Sequence, residues 1–205
     1  MSRQRLTREE SREQTRRRLL DSAAALLAKK GLAATSVEDI AKHAGYTRGA
    51  FYSNFKSKVD LFIDLLKCSH QHIQQDLQGL LDADIQGEDL RQQLVQFYAR
   101  CHGDAPSYVL WAEARLYAAR DAKFRQRLNQ LYLEKREVIA YFITQFCQKM
   151  GTAPPAPAED LALGLIALAD GVFYFNLSMP ALLPDGAAQS LLSVFFTSTF
   201  FGARA

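Results

Sequence analysis

The chain has 205 residues, of which 48% are hydrophobic and 23% are charged. This composition is ordinary for a globular protein that buries its own core, and it excludes wholesale disorder. The formal net charge of +3 conceals a division, because residues 1–58 hold 13 basic and 6 acidic residues, a net +7, while the remainder carries −4. Such asymmetry is typical of a protein with one end that meets a nucleic acid or an anionic membrane surface.

The predicted secondary structure is helical along the whole chain. Apolar residues recur at helical spacing from Arg8 to Lys30, with Thr7 and Glu10 as a capping box and Gly31 as a left-handed residue at the end. Eight further helices are predicted over about 37–44, 47–53, 58–81, 88–102, 106–119, 121–150, 159–178 and 186–201. No stretch alternates with period two and no long internal repeat recurs. We therefore predict an all-α fold of about nine helices.

Two short helices within residues 35–62 are separated by a tight turn at Gly45. This is the layout of a helix-turn-helix, in which the second helix enters the major groove of DNA. Arg48, at the start of that helix, can pair bidentately with guanine, and Thr47 can reach a base or a phosphate. Gly49 would let the backbone come close to the DNA. The motif predicts that the polyanion is double-stranded DNA rather than a membrane surface.

Five further residues near the motif carry hydroxyl, amide or ammonium groups that can donate hydrogen bonds to phosphate oxygens. They are Ser36, Tyr52, Asn54, Lys56 and Lys58. The apolar side chains Phe51 and Phe55 occupy positions that face the first and fourth helices, and we predict that both belong to the core.

Residues 12–62 resemble the DNA-binding domain of the TetR family of transcriptional repressors. The resemblance is carried by the helix end AAALLAKKG and, more specifically, by the ordered block IAKHAGYTRGAFYSNFKSK. Many family members have histidine where this chain has Asn54, whose amide can still donate to a phosphate. The motifs cover about a quarter of the chain, and the rest matches in helix pattern and length. The predicted division is a helix-turn-helix domain at 1–60 and a helical ligand-binding and dimerisation domain at 61–205.

The resemblance also implies roles for single residues of the helix-turn-helix. Tyr52 and Lys58 are implied to clamp phosphates, and the bases are implied to be faced by Thr47, Arg48 and Gly49. For the larger domain, it implies an inducer cavity between the middle helices and obligate dimers held by the last two long helices.

The sequence carries no catalytic motif, since GxSxG, P-loop, GxGxxG and HExxH patterns are all missing from it. We therefore expect neither an enzyme nor a cofactor. The four histidines make no metal-binding spacing. The three cysteines are odd in number and widely spaced, which favours buried free thiols in a reducing cytoplasm.

Large aromatic residues are frequent in the second domain, and core packing accounts for most of them. A helical domain with many aromatics and few polar groups is also how an apolar ligand pocket is lined, and the resemblance favours that interpretation. The ligand-binding candidates are Phe97, Tyr98, His102, Tyr108, Trp111, Arg115, Phe142, Phe146, Asp170 and Tyr174. The expected effector is a small hydrophobic or aromatic molecule, cationic if Asp170 faces the cavity.

Two of these candidates have open alternatives. Asp170 stands alone in an apolar run, where a charge needs a partner. It is a ligand contact, a hydrogen-bonding group at a dimer interface, or a group near a helix break. Arg115 follows Trp111 by four residues, so both face inward together unless Arg115 is exposed at the surface.

The last two helices contain more apolar side chains than one face of each can bury. Such surplus marks an interface, and a two-fold homodimer through these helices is the economical arrangement. It places two recognition helices one DNA turn apart, so the operator is expected to be a near-palindrome. The sequence thus predicts a dimeric repressor that a small effector releases from DNA. The alternatives are a small-molecule binding protein with a vestigial DNA domain, and a repressor or activator without a ligand.

Overall fold

The computed structural model describes residues 7–101, 105–184 and 186–201. Within these ranges the chain forms helices and no strands, which confirms the predicted all-α fold. The α-helices are α1 (Arg8–Lys30), α2 (Val37–His43), α3 (Arg48–Tyr52), α4 (Lys58–Asp82), α5 (Gly87–Cys101), α6 (Ala105–Arg120), α7 (Ala122–Lys149), α8 (Ala158–Ser178) and α9 (Ala187–Phe201). Each lies within one residue of its predicted bounds. A short 3-10 helix, Pro180–Leu182, was not predicted.

The ends of α1 show how local sequence sets a helix. The Thr7 hydroxyl accepts the Glu10 amide at 3.2 Å, and the Glu10 carboxylate accepts the Thr7 amide at 2.7 Å, so the predicted capping box is confirmed. Gly31 ends the helix with φ +76° but ψ 171°. The prediction of a left-handed helical glycine was therefore right in the sign of φ and wrong in ψ, because the chain leaves the helix extended.

The chain forms two compact units. Unit 1 comprises Met1–Ser69 with Val109–Leu128, and unit 2 comprises His70–Tyr108 with Asn129–Ala205. Helices α4, α6 and α7 each begin in one unit and end in the other. The sequence-based division at residue 60 remains a prediction about function, whereas the compact unit that holds the helix-turn-helix is discontinuous in sequence.

The core of unit 1 lies beneath the helix-turn-helix. Phe51 and Phe55 are 0% and 3% exposed, which confirms both as core residues. Phe62 of α4 stacks on Phe124 of α7 with ring centroids 5.8 Å apart. On the outer side of this core, Arg16 of α1 pairs with Asp64 of α4 at 2.8 Å. Helix α1 is thereby joined to α4 by an ion pair.

The core of unit 2 is formed by α5 packed on α9, and α8 packed on α9. Leu90 of α5 and Leu192 of α9 are fully buried. At the far end of α4, the Lys149 ammonium donates to the carbonyls of Leu81 and Ala83, the first at 2.7 Å. This ammonium closes the C-terminal end of α4, where helix carbonyls lack partners of their own.

His70 is an unusual buried group of unit 2. Its side chain is 7% exposed, and neither ring nitrogen has a hydrogen-bond partner within the described part of the chain. Burial lowers the pKa of His70, and the charge of Lys135 lowers it further, while Glu134 opposes the change. The imidazole is therefore held neutral.

Helix α8 is long and apolar enough to cross a membrane, judged by length and composition alone, and no other helix among the described residues is. A single helix of this kind is weak evidence, since helices that line a protein core satisfy the same criteria.

Candidate nucleic-acid interface and its surroundings

Side-chain caps define the two helices of the helix-turn-helix. The Ser36 hydroxyl accepts the Asp39 amide at 3.0 Å and the Asp39 carboxylate accepts the Ser36 amide at 3.0 Å, a capping box at the start of α2. Gly45, with φ +79°, makes the turn. The Thr47 hydroxyl accepts the Ala50 amide at 3.3 Å and begins α3. The caps are local, so sequence alone determines them.

The orientation of α3 follows from one side chain. Phe51 is fully buried and contacts the Phe55 ring, with centroids 5.7 Å apart. Because α3 is a single short helix, burying Phe51 turns its remaining face outward. Four of the predicted DNA contacts are exposed on that face: Thr47, Arg48, Gly49 and Tyr52. Ser36 and Lys56 are also exposed.

Arg48 is held by two neighbours although its side chain is 64% exposed. Its Nη1 lies 2.6 Å from Oε1 of Glu38 on α2, and the guanidinium carbon lies 5.5 Å from the centroid of the Tyr52 ring. Glu38 was not predicted as a functional residue. No sequence pattern indicates it, since an acid in the first turn of a helix is favoured there by the helix dipole alone.

Gly49 is not required by the fold of this unit. A Cβ placed on it would meet the Thr47 hydroxyl at 3.7 Å, which is ordinary van der Waals contact. Gly49 is exposed, and the close approach of DNA to its backbone stays a prediction.

Two of the predicted phosphate contacts are turned toward the protein. The Asn54 amide donates to the Ala50 carbonyl at 2.8 Å, and its Oδ1 is buried without a hydrogen-bond partner in the described residues. The Lys58 ammonium donates to the carbonyls of Leu32 and Thr35, the second at 2.6 Å. Burial lowers the pKa of Lys58. Both groups serve internal contacts in this structure, which reasoning from the motif did not anticipate.

The peptide groups around Leu32 join three helices of unit 1. The Leu32 amide donates to Oε1 of Glu113 on α6 at 2.7 Å, while its carbonyl accepts from Lys58 at the start of α4. Gly31 lies against the same carboxylate, and a Cβ there would come within 3.1 Å of Oε1. Glu113 was also missed by sequence reasoning, because 81 residues separate it from Leu32.

A shallow groove lies between the start of α1 and the end of α3. Its lining is mainly guanidinium, hydroxyl and amide groups: Arg8, Glu9, Ser11, Arg12, Thr15, Ala50, Ser53 and Asn54. Donors of this kind suit a phosphate. The groove adjoins the exposed face of α3, so both belong to one basic surface.

Three of the predicted ligand contacts meet in unit 2. The Tyr98 hydroxyl donates to the Leu165 carbonyl at 2.9 Å, and its ring stacks on Phe196 at 5.0 Å. The Tyr108 hydroxyl donates to the Asp170 carbonyl at 3.3 Å. Burial raises the pKa of Tyr98, and the charge of Asp170 raises it further. Both hydroxyls thus donate hydrogen bonds to backbone carbonyls of α8, and the Asp170 carboxylate lies close to Tyr98.

The other ligand candidates are dispersed. Phe97 is buried, and Phe142 and Phe146 are buried and stack at 6.1 Å on α7. Tyr174 is 52% exposed, with its ring against the exposed Phe175, so it lies on the outer face of α8 rather than among the buried aromatics. Trp111 is buried and Arg115 half-buried, and both are in unit 1. His102 lies outside the described residues. Within the described ranges, no group of His, Cys, Asp and Glu could hold a metal ion.

The outer faces of α8 and α9 are strongly apolar. Val194 and Phe195 of α9 are 58% and 50% exposed, and Leu163 of α8 is 55% exposed. Further exposed apolar side chains on these helices are Tyr174, Phe175, Leu177 and Leu191. Exposed apolar side chains that cluster on a surface mark an interaction site.

Comparison with known proteins identifies the family. Residues 19–65 match the model of bacterial regulatory proteins of the tetR family, and residues 86–200 match the model of the C-terminal region of BetI-type transcriptional repressors. The regulator AcrR of Shigella flexneri is 45% identical over 69 residues, 34% of this chain and 32% of that protein. TtgR of Pseudomonas putida is 40% identical over 72 residues, 34% of each. These alignments span about a third of the relatives' length.

Solved structures share the fold over nearly the whole chain. A regulator from Saccharomonospora viridis in complex with choline has a TM-score of 0.67 at 22% identity, covering 91% of this chain and 95% of that one. FadR of Bacillus subtilis in complex with stearoyl-CoA has a TM-score of 0.72 at 16% identity, covering 92% and 99%. Because one family model matches the helix-turn-helix and a second one matches more than half of the chain, this protein belongs to the TetR family of bacterial transcriptional regulators.

Proposed function

We propose that this regulator is a cytoplasmic, dimeric repressor that binds a near-palindromic operator and leaves it when a small effector binds. The observation that carries the proposal is the exposed face of α3, where Thr47, Arg48, Gly49 and Tyr52 lie together in a segment of net charge +7. A basic surface around a recognition helix fits the phosphate and base contacts of DNA.

Each exposed residue has a proposed role. Arg48 reads a guanine, Thr47 and Gly49 sit against the bases, and the Tyr52 hydroxyl donates to a phosphate. Ser36 and Lys56 supply further phosphate contacts from exposed positions. Lys58 and Asn54 remain candidates because each keeps one N–H after its internal bonds, namely the third hydrogen of the ammonium and the second of the amide.

Dimerisation through α8 and α9 is supported by the exposed apolar side chains of both helices. Gly164 and Gly171 add a second argument. Among the residues that the structure describes, a Cβ on either glycine would meet nothing within 4 Å, so packing against those residues does not require glycine at either position. Glycine lets another backbone come close, which would suit a helix from a second subunit. A stable interface of standard size buries about 800 Å² per partner.

The effector site is proposed among the aromatics of unit 2, near Tyr98, Tyr108 and Asp170. The two structural neighbours hold choline and stearoyl-CoA, one a small cation and the other a long acyl chain. The Asp170 carboxylate would suit a cationic group, and the aromatic lining would suit an apolar one. Because α4, α6 and α7 run from unit 2 into unit 1, an effector that prefers one arrangement of these helices would shift the DNA-binding population.

The direct test is binding to the DNA upstream of the protein's own gene, measured by fluorescence anisotropy over a range of salt concentrations. We expect sequence-specific binding whose affinity falls steeply with salt. Arg48→Ala should lose base preference at one position of each half-site, about 1–3 kcal/mol. Tyr52→Phe, the matched variant on the same face, should weaken binding to all sequences equally.

The rival interpretations give different outcomes. A small-molecule binding protein with a vestigial DNA domain would bind lipophilic ligands tightly and show no salt-sensitive operator complex. A regulator without a ligand would bind the operator and keep its affinity in the presence of every apolar or cationic effector. The first result would overturn the proposed operator binding, and the second would overturn the proposed release by an effector.

A further inference from the structure

The ion pair between Arg48 and Glu38 has no role in holding the fold. Both side chains are mostly exposed, at 64% and 55%, and an exposed ion pair adds little to stability. Helix α2 is capped by Ser36 and Asp39 and does not need Glu38 for its start. The contact therefore links α2 to the proposed base-reading side chain while adding little to the stability of the fold.

The pair acts on the geometry of the guanidinium. Glu38 engages Nη1, and the Tyr52 ring lies 5.5 Å from the guanidinium carbon. A carboxylate at one edge and an aromatic ring against the group restrain both the position and the tilt of the guanidinium plane. The donors left without the carboxylate are Nη2 and Nε, and two adjacent N–H donors are what a bidentate pair with guanine requires.

Glu38 also places a negative charge beside the DNA-facing surface. Every phosphate near α3 meets that charge, whatever the base sequence, and like charges repel. Non-specific complexes depend almost entirely on phosphate contacts, so nothing in them offsets this repulsion. In a complex where Arg48 pairs with guanine, that pairing offsets part of the lost affinity.

We propose that Glu38 is a specificity-determining residue: it positions Arg48 for a bidentate contact with guanine and weakens binding to sequences that lack it. The inference rests on the proposed function, since it needs Arg48 to read a base. The competing view makes Glu38 an autoinhibitory group that masks Arg48 until DNA displaces it. In that case its removal would strengthen binding to operator and non-operator DNA alike.

The test compares Glu38→Gln with the wild type on three duplexes: the operator, the operator with the Arg48-dependent base pair substituted, and a scrambled sequence. We expect the scrambled duplex to bind more tightly. The ratio of operator to substituted operator should fall by up to about fivefold, the scale of an exposed ion pair. In an Arg48→Ala background, Glu38→Gln should leave that ratio unchanged, which shows that it acts through Arg48.

Asp21→Asn is the matched control, because it removes one exposed acid from α1 of the same unit. It should leave the ratio at the wild-type value. The inference is overturned if Glu38→Gln keeps the full ratio, or if it tightens all three duplexes by the same factor. A failure of the proposed function looks different, since Arg48→Ala would then leave base preference unchanged in the wild-type background.

Discussion

Among the glycines of unit 1 that the structure describes, Gly31 is the one where an added methyl group would come closest to other atoms. Its backbone has φ +76° and ψ 171°, a region open essentially to glycine alone. Alanine held there costs about 1–3 kcal/mol. The added Cβ would also lie 3.1 Å from Oε1 and 3.4 Å from Cδ of Glu113. The carboxylate must shift, and it is the acceptor of the Leu32 amide at 2.7 Å.

The magnitude follows from these two terms. Weakening a hydrogen bond to a charged acceptor adds about 1–2 kcal/mol to the backbone cost of about 1–3 kcal/mol, so Gly31→Ala should destabilise the protein by about 2–5 kcal/mol. For a chain of 150–250 residues each kcal/mol lowers Tm by about 2–4 °C. Thermal unfolding followed by circular dichroism, at one protein concentration and without DNA, should therefore show Tm lowered by about 4–20 °C.

Gly79→Ala is the matched control for this variant. Gly79 lies exposed within α4, and a Cβ there would meet no atom of the described ranges within 4 Å. Replacing a glycine inside a helix stabilises by about 0.5–1 kcal/mol, so its Tm should rise slightly. If Gly31→Ala melts at or above the wild-type temperature while Gly79→Ala behaves as expected, the reasoning about Gly31 and Glu113 is refuted.

Three further outcomes are expected. Gly49→Ala should keep or slightly raise Tm, because the Cβ has room, yet weaken operator binding in anisotropy titrations; unchanged affinity would mean that the backbone does not approach DNA there. The pKa of His70 is lowered in the folded state, so its contribution to stability is complete above the unfolded pKa of about 6.5 and is lost as pH falls below that value. His70→Leu should therefore flatten the dependence of the urea midpoint on pH between about 7 and 5. His72→Leu, at an exposed position, is the control and should leave that dependence unchanged. Val194→Asp should shift a dimer to a monomer in light scattering, whereas Leu133→Asp, on an exposed apolar residue of α7, should leave the dimer intact.

What the sequence could predict here is what nearby residues decide. The capping box at Thr7 and the burial of Phe51 depend on contacts within one or two helical turns, and the structure confirms both predictions. Each α-helix boundary was predicted within one residue, because apolar periodicity marks the helices and capping residues, glycines or prolines lie near many of their ends. Local chemistry thus accounts for the elements and for the exposed face of α3.

What the sequence could not predict depends on contacts between distant segments. Glu38 reaches Arg48 across the turn, and Glu113 reaches Leu32 across 81 residues. The ammonium of Lys58 finds carbonyls of the loop after α1, which a motif that treats it as a phosphate ligand does not reveal. Neither spacing nor amphipathicity encodes such pairings, since they require the helices to be already packed.

The connection at Leu32 also determines how this regulator can be recombined with its relatives. A chimera that joins its first 60 residues to the body of another protein would leave the Leu32 amide without the Glu113 carboxylate. A buried N–H with no acceptor costs about 1–3 kcal/mol. The exchangeable piece is therefore not a continuous N-terminal stretch. A transplant that keeps the DNA-binding end intact has to carry residues 109–128 with it.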